Sequence, residues 1–248
     1  MKTLKLSVLV CALVTLTSTI NYVKSQDAVQ ILKQMDDVMY APKDQDSKIK
    51  LVLIDKNDKE KTREATVSQK GTDKRLFKFT SPSSQAGISF LSLPDDVMYL
   101  YLPAFGKERR IASHIKNQKF AGTDFSYDDM EAKPYSDKYT PKLLNTEDDI
   151  YLLALTPKAN IKTDYSKLIV TINKSNYYPT KIEYYDKTGR KIKELNNKEI
   201  EKVDGYWVSK EMTMTDLKKN HKTKMIITTV SYDNNLSDDE FTVRKLKQ

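Results

Sequence analysis

The residues best able to ligate a metal, act as a base or act as a nucleophile are few in this chain of 248 residues: two histidines, His114 and His221, and one cysteine, Cys11. Neither histidine has a second ligand-type residue at metal spacing, so both read as surface histidines. Ser-x-x-Lys, the spacing of a serine–lysine pair, occurs at Ser47/Lys50 and Ser113/Lys116. With 18 serines and 36 lysines in the chain, chance alone supplies roughly two to three such matches. Ser47 also opens a strand pattern, in which Lys50 points to the opposite face. Carboxylates stand side by side at Asp36-Asp37, Asp95-Asp96, Asp128-Asp129, Asp148-Asp149 and Asp238-Asp239. Glycoside hydrolysis needs two carboxylates facing each other across a substrate, whereas neighbours in a strand point apart and neighbours in a turn are solvated. Six glycines form no phosphate cradle or dinucleotide fingerprint, and no nucleophile-elbow or zinc-protease motif is present. The expectation is a protein without catalytic residues, metal or cofactor.

What stands out is apolar. Ile88–Leu93, Val97–Leu102 and Ile150–Leu155 are apolar at both parities. Either both faces of these strands are covered, or one face lines an apolar space. Met212 and Met214 share a parity opposite to Trp207, and flexible thioethers suit surfaces that fit varied apolar partners.

The elements that would carry these residues are mostly strands. Ala28, Ile31, Leu32, Met35, Val38 and Met39 recur at helical spacing, and Pro42 ends that pattern. From Ser47 the period becomes two. Short runs follow, separated by turn sequences such as Pro94-Asp95-Asp96, Lys187-Thr188-Gly189 and Asp204-Gly205. Phe77 and Phe79 share a face, with Arg75 on the same parity. Alternation is lost from Ser113 to Pro141, where Ser126–Glu131 reads as a short helix with a serine cap; Ser237 and Glu240 have capping-box spacing for a terminal helical turn. The reading is mainly β (α+β): about eleven to twelve antiparallel strands in meander order, in one domain.

Lys2 and Lys5 precede an uncharged stretch, Leu6 to Val23, that includes several serines and threonines. This reads as a cleaved export leader over residues 1–25, with the folded domain at 26–248. Cys11 falls within the leader, so no thiol chemistry is expected of the mature chain. Lysine and arginine total 42 against 34 acids. Removing Lys2, Lys5 and Lys24 leaves 39, a modest excess spread along the chain, and nucleic acid is excluded as a partner.

One stretch resembles a known family. It runs Phe79-Thr80-Ser81-Pro82, Ala86–Leu91, Met98–Ala104, Arg109-Arg110-Ile111 and Phe120–Met130, with Gly122-Thr123-Asp124-Phe125-Ser126-Tyr127-Asp128-Asp129 the most specific part. This resembles the LolA-like outer-membrane lipoprotein-sorting protein family. The resemblance implies a single antiparallel, incompletely closed β-barrel of about 11 strands, with helices covering its open side. It implies a periplasmic carrier of lipid or lipoprotein acyl chains, moving them from inner to outer membrane. An inner-membrane transporter and an outer-membrane acceptor are the implied partners. Members of this branch often accompany transporters of the resistance-nodulation type, so a non-catalytic accessory subunit of such a transporter is the alternative. On this reading Ile88, Phe90, Met98, Leu100, Leu102, Met212 and Met214 include the residues that touch acyl chains. Gly122–Asp129 is expected to latch beside the mouth, with Asp124 capping the turn that follows.

Overall fold

The computed structural model describes residues 19–248, with side chains described from residue 28 onward. The expected leader and its cleavage point therefore lie outside the described residues, apart from the backbone of the opening helical turns. Helix α1 (Thr19–Met39) is followed by β1 (Asp44–Ile54), β2 (Glu60–Lys70), β3 (Lys74–Ser81), β4 (Ser89–Leu93), β5 (Val97–Leu102) and β6 (Lys107–Arg110). After an irregular stretch and the short helix α2 (Tyr135–Lys138) come β7 (Tyr139–Thr146), β8 (Ile150–Pro157), β9 (Tyr165–Asn173) and β10 (Pro179–Asp186). Then follow β11 (Lys191–Val203), β12 (Tyr206–Asp216), β13 (His221–Tyr232) and a last helical turn, α3 (Val243–Leu246).

All 13 strands among the described residues lie in one antiparallel sheet, ordered β6-β5-β4-β3-β2-β1-β13-β12-β11-β10-β9-β8-β7. Every neighbour is consecutive in sequence except β1 and β13, whose pairing joins the two halves. β6 and β7 are free edges, so the sheet is open. The strand number corrects the expectation of about 11. β7 was hidden by Pro141, which an edge strand tolerates because a donor can be missing there. Residues 191–203 read as two strands broken at Asn196-Asn197, yet they form one. The Asn197 side chain donates to the Pro179 carbonyl instead of turning the chain.

The concave side holds the core. Ala28, Ile31, Leu32 and Met35 present the apolar stripe of α1 to it, and β1 adds Ile49, Leu51 and Leu53 between exposed Lys48 and Lys50. The chain from Ile111 to Lys138 crosses the open side from the last residue of one edge strand to the first of the other, and buries Phe120, Phe125, Tyr127 and Met130. Its segment Ser126–Glu131 is a run of turns and not the expected helix, though the Ser126 hydroxyl does accept from the Asp129 amide at 3.1 Å. The Ser237 cap forms as expected, over Asp238–Glu240.

A second, smaller core explains the two-faced strands. Leu91 packs with Phe241 and Leu246 on the convex face, beside Leu76, Tyr99 and Tyr101. The C-terminal segment thus covers the outside of β3–β5, while Phe90 and Met98 face inward. Among the described residues no helix is long and apolar enough to cross a membrane.

Candidate functional site

Between the concave face, α1 and the crossing segment lies a cavity of about 230 Å³. Its walls differ in chemistry. Met39, Met130, Met212, Met214, Met225 and Ile227 supply an adaptable apolar side. Met212 and Met225 are register partners on β12 and β13.

The other end is polar and aromatic. Asp128, Asp129 and Glu131 line it, and all three are paired: Lys138 Nζ lies 2.7 Å from Asp128 and 3.3 Å from Glu131, and Lys193 lies 2.6 Å from Asp129. Lys116 stands 3.7 Å from Glu131. Burial raises the Asp129 carboxyl, but Lys193 and the Ser126 amide and hydroxyl outweigh it and hold the group below the usual aspartate range. Burial wins at Glu131, whose pKa is raised despite Lys138 and Lys116. The tandem Asp128-Asp129, expected within a short helix, is therefore a buried, lysine-matched pair with only 10% and 7% of its side chains exposed.

Arg75 is the third component. It sits on β3 on the inward parity with Phe77 and Phe79, in register with Gln69 on β2 and Ser92 on β4. Its Nε and Nη2 donate to Gln69 Oε1 at 3.0 and 2.5 Å, and Nη1 donates to the Met130 carbonyl at 3.0 Å. Burial pushes its guanidinium pKa down. The phenols of Tyr135, Tyr139 and Tyr184 also line the cavity and, among the described residues, make no hydrogen bond. Burial pushes all three up, so they stay protonated donors. The neighbouring Tyr40 hydroxyl accepts from the Lys133 amide.

The sheet splits beside the cavity. β13 pairs with β12 only from Glu211 to Asp216, while Tyr206–Ser209 stays with β11 alone. The register shift that places Thr228 outside the β1 ladder bends β13 at this point. Trp207, Ile227 and Tyr232 line the cavity at the split. It is bridged by Tyr206, whose hydroxyl lies 2.5 Å from Asp233 and whose ring meets Tyr232 edge-on at 5.1 Å.

Of the residues singled out from sequence, Met212 and Met214 line this cavity. Phe90 and Met98 are fully buried in the concave core; Ile88 and Leu100 are half-buried against it, and Leu102 is half-buried at the end of β5. None of these five is among the lining residues. Asp124 does not cap the next turn. It is 1% exposed and accepts from Lys119 at 2.6 Å and Thr223 at 2.8 Å, with His221 Nδ1 at 2.5 Å, tying the crossing segment to β13. His221 is thus engaged in the interior, while His114 is exposed. Ser47 and Lys50 face opposite sides, and the Ser47 hydroxyl donates to the Val67 carbonyl. Sequence reading passed over Arg75, the paired carboxylates and the tyrosines. The available signal was an arginine on the same parity as two core phenylalanines.

A family model described as "Uncharacterized protein" matches residues 71–248. No curated protein matches the chain. Three solved structures are similar over nearly the whole fold. One, described as an outer membrane lipoprotein-sorting protein domain from Vibrio parahaemolyticus, has a TM-score of 0.84 at 25% identity, covering 90% of this chain and 100% of that one. A DUF1329 family protein from Desulfovibrio piger has a TM-score of 0.84 at 27% identity, over 90% and 99%. A LolA superfamily protein from Nitrosomonas europaea has a TM-score of 0.75 at 22% identity, over 88% and 98%.

Proposed function

We propose that this chain, which belongs to the LolA-like outer-membrane lipoprotein-sorting protein family, is a periplasmic carrier that shields acyl chains of lipids or lipoproteins between inner and outer membrane. The observation that carries the reading is the methionine-walled cavity beneath an open sheet. Each methylene moved from water to such a wall gains about 0.8 kcal/mol. One acyl chain thus supplies useful affinity without any covalent chemistry. The cavity of about 230 Å³ is smaller than the roughly 300–1,000 Å³ of ordinary ligand sites. A full chain therefore enters only as the walls yield. Thioethers can change rotamer to make that room, and the split between β12 and β13 offers the way in. Met212 and Met214 are the first residues we assign to cargo; Ile88, Leu100 and Leu102 would join them only if the inner core opens further. A transporter and an acceptor at either end of the route are part of this reading, and the alternative role as a transporter's accessory subunit makes the opposite prediction about bound lipid.

The test is a mass spectrum of the organic extract from protein purified out of a membrane-containing lysate. Co-purifying acyl species, absent from a Met212→Glu variant prepared in parallel, are expected. A clean extract, together with no displacement of a fluorescent fatty acid, overturns the carrier reading and favours the accessory role.

A further inference from the structure

One cation at the polar end of the cavity has no carboxylate partner. Three cationic side chains line it: Arg75, Lys133 and Lys138. Lys133 is 2.7 Å from Asp96, and Lys138 is matched to Asp128 and Glu131. Lys193, behind the wall, is matched to Asp129. Arg75 has no carboxylate within 4 Å among the described residues. Its acceptors are a neutral amide oxygen and a backbone carbonyl. Glu131, whose charge acts on the guanidinium, is already shared by Lys138 and Lys116.

A guanidinium has five N–H groups. Arg75 uses three of them in the bonds described. One N–H remains on each terminal nitrogen, free to donate to the oxygens of an anion. Tyr135 stands beside the guanidinium, and Tyr139 and Tyr184 add further hydroxyls around the same space. An inward cation is costly without a counter-charge. A purely hydrocarbon cargo would leave it without one, whereas an anionic head would supply it.

We infer that Arg75 receives the anionic head, carboxylate or phosphate, of an acyl-bearing ligand whose chain lies along the methionine wall. The inference rests on the acyl-carrier reading and adds to it the class of cargo: amphiphiles with a negatively charged oxygen head, oriented with the head at Arg75 and the tail toward Met212.

The test needs only the wild-type protein and two matched pairs of ligands, each measured below its aggregation concentration by displacement of a fluorescent fatty acid. The pairs are dodecanoate against dodecanol, and didecanoyl phosphatidate against didecanoylglycerol. A preference of at least about tenfold for the anion, in one pair or both, is expected from charge-assisted hydrogen bonding. The pair that shows it names the head as carboxylate or phosphate. Arg75→Gln should abolish that preference by weakening the anion of each pair far more than its neutral partner, and Arg75→Lys should restore part of it. Equal affinity within both pairs overturns the anion site and leaves the acyl reading standing; so does a full preference retained in Arg75→Gln. Binding of none of the four overturns the acyl reading and the site with it. Should Arg75→Gln not fold, the wild-type comparison decides alone.

Discussion

Around Phe120 the concave side of the sheet is closed by rings; around Met212 it is left open by thioethers and phenols. Phe77, Phe79, Phe90 and Phe120 are all fully buried, and their ring centroids lie 4.9–5.7 Å apart in edge-on, tilted and stacked contacts. The strands that carry them are covered outside as well, by Phe241 and Leu246. Across the β1–β13 junction, Met212, Met225 and Ile227 face a void, which the ring cluster meets only at Phe77. Both regions are apolar, so hydrophobicity alone does not tell them apart. Stiff rings with few rotamers fill space and hold it, while unbranched side chains with three rotatable bonds can leave a space and refill it. One region stabilises the fold; the other can yield to a guest.

The strongest way to break this comparison is at its rigid pole. Phe120→Ala, in the centre of the ring cluster, should destabilise by about 3–5 kcal/mol, read as a fall in denaturant midpoint. A loss below about 1 kcal/mol would mean the cluster is as yielding as the methionine wall.

Asp124 joins the two regions, because it ties the crossing segment to β13. Asp124→Ala removes the acceptor for Lys119, Thr223 and His221 and should cost about 2 kcal/mol. Thr223→Val should reproduce part of that loss. An unaltered melting curve for both variants would separate the segment from the sheet energetically.

At the yielding pole, Met212→Ala should cost about 1 kcal/mol, since the side chain borders empty space and is only half-buried. Met212→Glu should leave the far-UV circular dichroism intact while displacing a fluorescent fatty acid. Leu100→Glu, set against the sealed core beside Phe90, should instead lower the melting temperature. If Leu100→Glu keeps its stability and loses the probe, the guest space extends into the inner core.

The smallest effect is at the polar end. The folded-state pKa of Asp129 is depressed. Its contribution to stability is therefore complete above the ordinary aspartate value of about 3.9 and is lost as pH falls through the lower folded value. Asp129→Asn should lower stability near neutrality, where the carboxylate contributes fully, and flatten that acid limb of the stability curve. A parallel limb in the variant would assign the acid sensitivity to other carboxylates.

Much of the fold was legible because its signals are local. Period-two alternation, turn dipeptides and the α1 stripe are properties of a few consecutive residues, and they located nearly every strand. The exceptions have local causes too: Pro141 disguised an edge strand, and Asn196-Asn197 imitated a turn. Parity even placed Phe90, Met98 and Leu100 on the inward face of their strands.

What parity could not say is whether an inward residue meets a neighbour or a void. That depends on which distant segments cover it. The two-faced strands β4 and β5 are sealed because α3, more than a hundred residues later, closes their outside and Phe120 their inside. Met212 and Met214, still paired with β13, line a cavity because α1 and the crossing segment leave space over that part of the sheet, an event of tertiary geometry. The ion pairing of Asp128 and Asp129 could not be read along the chain, because the partners, Lys138 and Lys193, come from elsewhere in it. Sequence determined the alternation, the apolar content and the inward arginine, since those follow from bonds along the backbone. Only the tertiary structure decided where space was left over, since packing is settled between residues that the chain keeps far apart.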